Sequence, residues 1–154
     1  MIGVDLCDGR TTRCGVAPDQ IGAILRACRD GGPRQILWVD VAAPTEDDWR
    51  VLEREFAFHP LALEDARKQN QRPKVDVYEG HLFLSVRACA PRPGDDPVEI
   101  DVFLGPEYLV TIHHHDTAPI TETRRRLETH PEHLRNEPGF LLYLLLDAVV
   151  DEYF

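Results

Sequence analysis

The sequence predicts an α/β (α+β) fold, in which helices cover both faces of a mixed parallel and antiparallel sheet to form three αβα layers. Two observations favour this fold. Strand-like and helix-like segments alternate in the first half of the chain, and two hairpin patterns followed by helices make up the second half. The 154 residues, 43% of them hydrophobic, are enough for one domain that buries about 70% of its unfolded surface.

The N-terminal segment predicts a hairpin and a helix. Residues 1–6 and 11–16 flank the Asp8-Gly9 step, which is a common hairpin turn. Pro18 then opens a segment with helical periodicity, and Gly31-Gly32-Pro33 ends it.

A buried strand and two helices are predicted next. The apolar run at residues 35–41 is short, which favours a buried strand over a helix. Thr45 and Asp48 have the spacing of a capping box and begin a helix that reaches about Ala57. The His59-Pro60 step starts another short helix, with proline in its first turn.

The middle of the chain is rich in strands. Two pairs of strand-like segments flank turn signals and therefore predict hairpins: residues 74–78 and 81–90 around Glu79-Gly80, and residues 98–104 and 107–113 around Gly105-Pro106.

Two helices are predicted at the C-terminal end, one over residues 119–129 and one from Gly139 onward. The helical pattern of the second still runs at Phe154, without a glycine, asparagine or proline to stop it. We therefore expect the natural chain to continue as a longer helix.

Charge and composition exclude several classes of protein. The net charge of −10 argues against a nucleic-acid partner, which requires a basic face. The sequence contains no GxSxG, P-loop, GxGxxG or HExxH motif, so we do not expect an enzyme. The four cysteines form no CxxC pair and follow no secretory leader, which predicts reduced thiols in a cytosolic setting.

Glu64 and Asp65 are the first candidates for cation binding. Adjacent helical residues point about 100° apart, so the two carboxylates could serve two neighbouring sites. Lys68 lies one helical turn after Glu64, and a solvated, salt-bridged helix face explains the same pattern.

Asp147 and Asp151 are a second candidate pair. Their spacing of four places both on one face of the last helix, where like charges repel unless something compensates them. The rest of that helix is strongly apolar, so the acids would mark the edge of a buried stripe at a subunit boundary; simple solvent exposure explains them as well.

The run His113-His114-His115-Asp116 is a third candidate. On a strand, His113 and His115 would share a face, and with Asp116 they could supply three ligands to Zn²⁺. The run lies where a strand gives way to a loop, and a polar strand end without a metal is the alternative interpretation.

Several motifs, in the expected order, resemble the CorA family of magnesium and cobalt channels. They are His59-Pro60-Leu61-Ala62-Leu63-Glu64-Asp65, the following Gln71-Arg72-Pro73-Lys74-Val75, the strand from Glu107 to His113, and the helix from Leu141 to Phe154. The resemblance covers residues 36–154. The chain is similar in extent to the N-terminal cytosolic funnel domain of that family, over residues 1–154, ending before the stalk and membrane helices.

The resemblance implies a regulatory role. Members form homopentamers in which acidic residues between subunits bind Mg²⁺ and hold the pore closed. By the matching motifs, Asp65 would belong to a first site, and Glu64 and Asp147 to a second. The implied cofactor is Mg²⁺, with Co²⁺ or Zn²⁺ as alternatives. The implied location is the cytoplasmic side of the cell membrane, to which C-terminal helices beyond Phe154 would attach the domain.

Three alternatives remain open from the sequence, one of which is an oligomerisation module that binds no ions. A zinc-transporting relative with the same fold would use imidazole ligands such as His113 and His115. A soluble metal-dependent hydrolase would use the cluster from His113 to Asp116 and would need a concave pocket around it.

Overall fold

A single seven-stranded sheet forms the centre of the computed structural model, which describes residues 1–134 and 137–154. The strands are β1 (Ile2–Cys7), β2 (Thr12–Arg13), β3 (Ile36–Ala42), β4 (Lys74–Tyr78), β5 (His81–Ala88), β6 (Val98–Leu104) and β7 (Tyr108–His113). Their order across the sheet is β2-β1-β3-β7-β6-β5-β4. The mixed sheet predicted from the sequence is confirmed.

One parallel pairing joins the two halves of this sheet. β3 lies parallel to β7, with Trp38 opposite Leu109 and Ala42 opposite His113. The other neighbouring strands pair antiparallel, including the predicted hairpins β4–β5 and β6–β7.

Five α-helices cover the sheet in the described part of the chain: α1 (Ile21–Arg29), α2 (Glu46–Glu55), α3 (Pro60–Lys68), α4 (Ala118–Thr129) and α5 (Pro138–Asp151). Side chains of α1, α2 and α3 pack with Val39, Phe83 and Phe103 on one face. Those of α4 and α5 pack with Trp38 and Ile100 on the other face. The three predicted αβα layers are therefore confirmed.

Local signals explain where the helices begin. Thr45 and Asp48 form the predicted capping box of α2, each side chain bonding the backbone N–H of the other. The side chain of His59 accepts a hydrogen bond from the N–H of Leu61 at 3.2 Å, which caps α3 ahead of Pro60.

Three details differ from the sequence prediction. β2 is only two residues long, because Gly15 turns the chain with a φ of 70° before Val16 bonds back to Val4. A short 3₁₀-helix at Pro131–Leu134 was not predicted. α5 ends at Asp151, and the N–H groups of Tyr153 and Phe154 bond three residues back in a tightened last turn.

No described helix has both the length and the apolar character needed to cross a bilayer. All four cysteines are free thiols.

Candidate functional site

The two carboxylates of α3 diverge, as predicted, and each meets a lysine. Glu64 pairs with Lys68 one turn along the helix. The Oδ2 atom of Asp65 lies 2.6 Å from Nζ of Lys74 on β4, and the same ammonium lies 2.8 Å from Asp76. Both candidate acids are therefore neutralised by surface cations within the chain.

Lys74 holds a central position between carboxylates of two elements. Its hydrogen bonds to Asp65 and then Asp76 raise its pKa above the usual value, so the ammonium stays charged at neutral pH. Its Nζ also lies 5.4 Å from the ring centre of Phe83. A dication that binds Asp65 would have to displace this ammonium or share the carboxylate with it.

The two acids of α5 share a single arginine. Arg126 on α4 contacts Asp147 at 2.7 Å and Asp151 at 3.1 Å, and it also contacts Glu122 at 2.8 Å. The guanidinium supplies the compensation that two like charges on one helix face require. Asp147 and Asp151 lie on one face, as their spacing predicts.

The sheet separates the two groups of candidate acids. α3 packs on one face and α5 on the opposite face, so Glu64 and Asp147 lie on opposite sides of the same domain. Among the described residues of one chain they form no common cation site. A site that uses both kinds of acid needs a second chain.

His113 lies in the interior, and both of its ring nitrogens are engaged. Nδ1 donates to the carbonyl of His115 at 2.8 Å, and Nε2 donates to the carboxylate of Asp40 at 3.2 Å. Asp40 also accepts from the hydroxyl of Thr111 at 2.6 Å and from Arg124 at 3.4 Å. This arrangement leaves no lone pair on the ring for a metal.

Asp40 and His113 stabilise each other's charged forms. Burial alone would raise the pKa of Asp40, but His113, Thr111 and Arg124 outweigh it and the pKa is lowered. Burial would likewise lower the pKa of His113, but the hydrogen bond and charge of Asp40 outweigh it and the pKa is raised. The two side chains form a buried ion pair between the centre of the sheet and α4.

The histidine run is divided between two cavities. β7 ends at His113, so the strand alternation that would place His113 and His115 on one face does not continue. His113 and Asp116 line a cavity of about 300 Å³ beside Arg124. His115 lines a different cavity of about 580 Å³.

Sequence reasoning missed Asp40, which holds this network together. The available signal was a single acid inside the apolar run that forms β3. Burial of that acid at 7% exposure requires charged or polar partners, and His113 and Arg124 are such partners. The parallel pairing of β3 with β7 brings His113 to Asp40, and the packing of α4 on the sheet brings Arg124.

Sequence reasoning also missed two acids of β6, Glu99 at the edge of the larger cavity and Asp101 in the interior. Glu99 lines this cavity, and one of its carboxylate oxygens accepts from the Gln71 N–H at 2.9 Å and pairs with Arg87 at 3.0 Å. Asp101 lies two residues along β6 and is 2% exposed. Burial, followed by the charge of Glu99, raises the pKa of Asp101 to about 8.

The model of the CorA family, described as a CorA-like Mg²⁺ transporter protein, matches residues 33–154. The chain belongs to this family.

One curated relative is YfjQ of Bacillus subtilis (strain 168), which is named as a metal ion transporter. It is 39% identical over 117 residues, which make up 76% of this chain and 36% of YfjQ. The chain thus spans about a third of the length of this relative.

Solved structures share the fold over nearly the whole chain. The soluble domain of CorA from Methanocaldococcus jannaschii superposes with a TM-score of 0.72 at 16% identity, covering 99% of this chain and 57% of that one. The cytoplasmic domain of ZntB from Vibrio parahaemolyticus superposes with a TM-score of 0.71 at 13% identity, covering 98% and 59%. At these low sequence identities, the structural similarity shows that the fold is shared and nothing more.

Proposed function

We propose that this chain is the ion-sensing domain of a CorA-like channel that transports Mg²⁺, and Co²⁺ as a second ion, across the cell membrane. The observation that carries the proposal is the family match over residues 33–154. The domain would lie on the cytoplasmic side, and five copies in a longer protein would surround one pore.

The proposed sensors are Asp65, Glu64 and Asp147, with Asp151 beside the last. Mg²⁺ would bind where these carboxylates meet acids of a neighbouring subunit, because Mg²⁺ keeps several waters and needs only one or two carboxylates. The separation of α3 from α5 by the sheet supports a site between chains over a site within one.

The lysines and the arginine at these acids fit such a role. Ion pairs at a protein surface contribute about 0–1 kcal/mol, so a dication can replace them at small cost. Lys68, Lys74 and Arg126 would hold the carboxylates while the ion is absent. Mg²⁺ between two subunits would then favour the arrangement in which their acids are close, and a coupling of about 1–3 kcal/mol per site is enough to bias a gate.

The test uses the full-length channel with its membrane helices. Asp65→Asn removes one carboxylate charge and is expected to reduce the Mg²⁺-dependent stabilisation of the pentamer, measured as resistance to dissociation and proteolysis with Mg²⁺ or chelator. Asp47→Asn is the matched control, because Asp47 is an 86% exposed acid that pairs with Arg50 on α2. An unchanged Mg²⁺ response in Asp65→Asn, equal to that of the control, would contradict the assignment.

The zinc-transporting alternative would be supported by Zn²⁺ binding at His113 and His115. The engaged nitrogens of His113 oppose it, since a ligand would have to break its pair with Asp40. The hydrolase alternative needs one pocket for His113, His115 and Asp116, and their division between two cavities does not support it. Histidine signals recorded during a Zn²⁺ titration separate these readings from the Mg²⁺ proposal.

A further inference from the structure

His130, Glu132 and His133 form a cluster on the connection between α4 and α5. All three side chains are exposed, and their ligand atoms lie within 4.8 Å of one another. Among the described residues this is the one group of three or more histidine, cysteine or acidic side chains with that property. Neither the resemblance nor the proposed sensor sites involve these residues.

The backbone of this connection is fixed by its neighbours. The N–H of His130 bonds to the carbonyl of Arg126 at 2.9 Å, which caps α4, and the N–H of His133 bonds to the carbonyl of His130 at 3.1 Å. Buried Leu127 and Leu134, both on the α4–α5 face of the sheet, hold the segment at its two ends. The exposed side chains therefore project from a short turn that is anchored in the core.

The three side chains lie close together, although not yet in the geometry of a metal site. The two imidazole rings stack with centres 4.9 Å apart and planes 18° apart. Nδ1 of His130 lies 3.1 Å from Oε1 of Glu132. Ligand atoms of a tetrahedral Zn²⁺ ion at about 2.1 Å each lie about 3.4 Å from one another, so the exposed imidazoles would have to leave the stack and rotate to complete a site.

We propose that His130, Glu132 and His133 form a binding site for a divalent transition-metal ion such as Zn²⁺ or Co²⁺. Imidazole nitrogen suits these ions, whereas Mg²⁺ prefers oxygen ligands and retains its waters. Three protein ligands leave the fourth position to water, as in sites that stay open to solvent. The site is separate from Glu64, Asp65 and Asp147, and the proposal does not depend on the proposed function.

The ion would join the end of α4 to the turn that leads into α5. α4 carries Arg126, which holds Asp147 and Asp151 of α5. Occupancy of the site is therefore expected to stabilise the packing of these two helices, by the general rule that a ligand of the folded state adds to its stability.

The experiment titrates the 154-residue chain with Co²⁺, followed by its visible absorption, and then with Zn²⁺ in competition. His130→Ala and His133→Ala are each expected to weaken binding at least about tenfold, since loss of even an indirect partner of a metal ligand has effects of that size. Glu132→Gln should weaken binding less, because the amide oxygen remains a neutral ligand. His115→Ala is the matched control, as another exposed histidine, and should bind as the unaltered chain does.

All three positions are exposed, so the variants should keep their circular dichroism and midpoint of thermal unfolding without metal. Equal Co²⁺ affinity in His130→Ala, His133→Ala and the unaltered chain would overturn the proposal. A loss of binding confined to His115→Ala would also overturn it and would indicate the other histidine run.

Discussion

Acids in the interior of the sheet and acids on the helices that flank it have opposite surroundings. Asp40 is 7% exposed and is held by Thr111 and His113 of β7 and by Arg124 of α4. Glu64, by contrast, has a side chain that is 51% exposed and pairs with one flexible lysine. The comparison indicates that the interior acids fix the structure, whereas the surface acids are the ones that we propose to exchange with an ion.

The energies of the two kinds of pair explain this difference. Removing one partner of a buried ion pair leaves an uncompensated charge in the interior and costs about 3–5 kcal/mol. A surface pair contributes about 0–1 kcal/mol because water screens it and solvates its charges when it opens. The four predictions below test this contrast, beginning with the largest expected effect.

Asp40→Asn is expected to lower the free energy of unfolding by about 3–5 kcal/mol, because buried His113 loses the charge that compensates it, while Arg124 keeps Asp5 as a partner. Urea denaturation of the variant and the unaltered chain at neutral pH measures this difference in the free energy of unfolding. Glu64→Gln is the surface control and should change the same quantity by about 0.5 kcal/mol or less. Equal effects of the two substitutions would remove the distinction between interior and surface acids.

The contribution of the Asp40–His113 pair to the free energy of unfolding is expected to depend on pH. The raised pKa of His113 contributes stability that is present below its unfolded pKa of about 6.5 and is lost as pH rises through the folded value. The lowered pKa of Asp40 contributes stability that is present above about 3.9 and is lost as pH falls. The pair is therefore strongest in weakly acidic solution, and the deficit of Asp40→Asn should be largest there.

Asp101→Asn tests an interior acid that, unlike Asp40, keeps its proton in the folded state. Because the pKa of Asp101 is raised to about 8, the folded state keeps a proton that the unfolded state releases above about pH 4. The unaltered chain thus loses up to about 1.4 kcal/mol of stability per pH unit across that interval, and asparagine, which is always neutral, escapes this loss. Urea denaturation of both proteins at pH 5 and pH 8 measures how the free energy of unfolding of each changes with pH.

The stability of Asp101→Asn relative to the unaltered chain should therefore increase with pH. A difference that stays constant between the two pH values would show that Asp101 is not a proton-binding site of the folded state. Thr123→Val serves as a control, because Thr123 is a buried, non-titrating residue whose hydroxyl bonds to the carbonyl of Pro119 within α4.

Lys74→Met is expected to give the smallest effect. It removes the ammonium between Asp65 and Asp76, both partly exposed, and should lower the free energy of unfolding by about 1 kcal/mol or less. If these carboxylates are exchangeable, millimolar Mg²⁺ should raise the thermal midpoint of this variant more than that of the unaltered chain. Arg50→Met is the control, since Arg50 pairs with Asp47, an acid outside the proposed sensors. No difference in Mg²⁺ response between the two variants would count against exchange at Asp65.

Local patterns in the sequence were enough to predict most of the fold. The capping box at Thr45 and the turn signals Glu79-Gly80 and Gly105-Pro106 act over a few residues, and the structure has each element next to its signal. The extra 3₁₀-helix at Pro131–Leu134 is one turn long, which is too short for any periodicity to show.

At the candidate sites, the sequence predicted only the contacts between residues that are close together in the chain. The pairing of Glu64 with Lys68 follows from helical spacing and was anticipated. The contact between Asp65 and Lys74 depends on how β4 lies against α3, and that between Asp40 and His113 depends on a strand pairing distant in sequence. Periodicity within one segment carries no information about such contacts.

The single parallel pairing at the centre of the sheet has a kinetic consequence. The hairpins β4–β5 and β6–β7 form between strands that are adjacent in the sequence. The pairing of β3 with β7, by contrast, joins residues such as Asp40 and Thr111 that are 71 positions apart. Closing so long a loop delays contact formation, and rates across small proteins fall as such distant contacts dominate. We expect the docking of β3 onto β7 to limit the rate of folding, and the buried charges that meet there to assemble last.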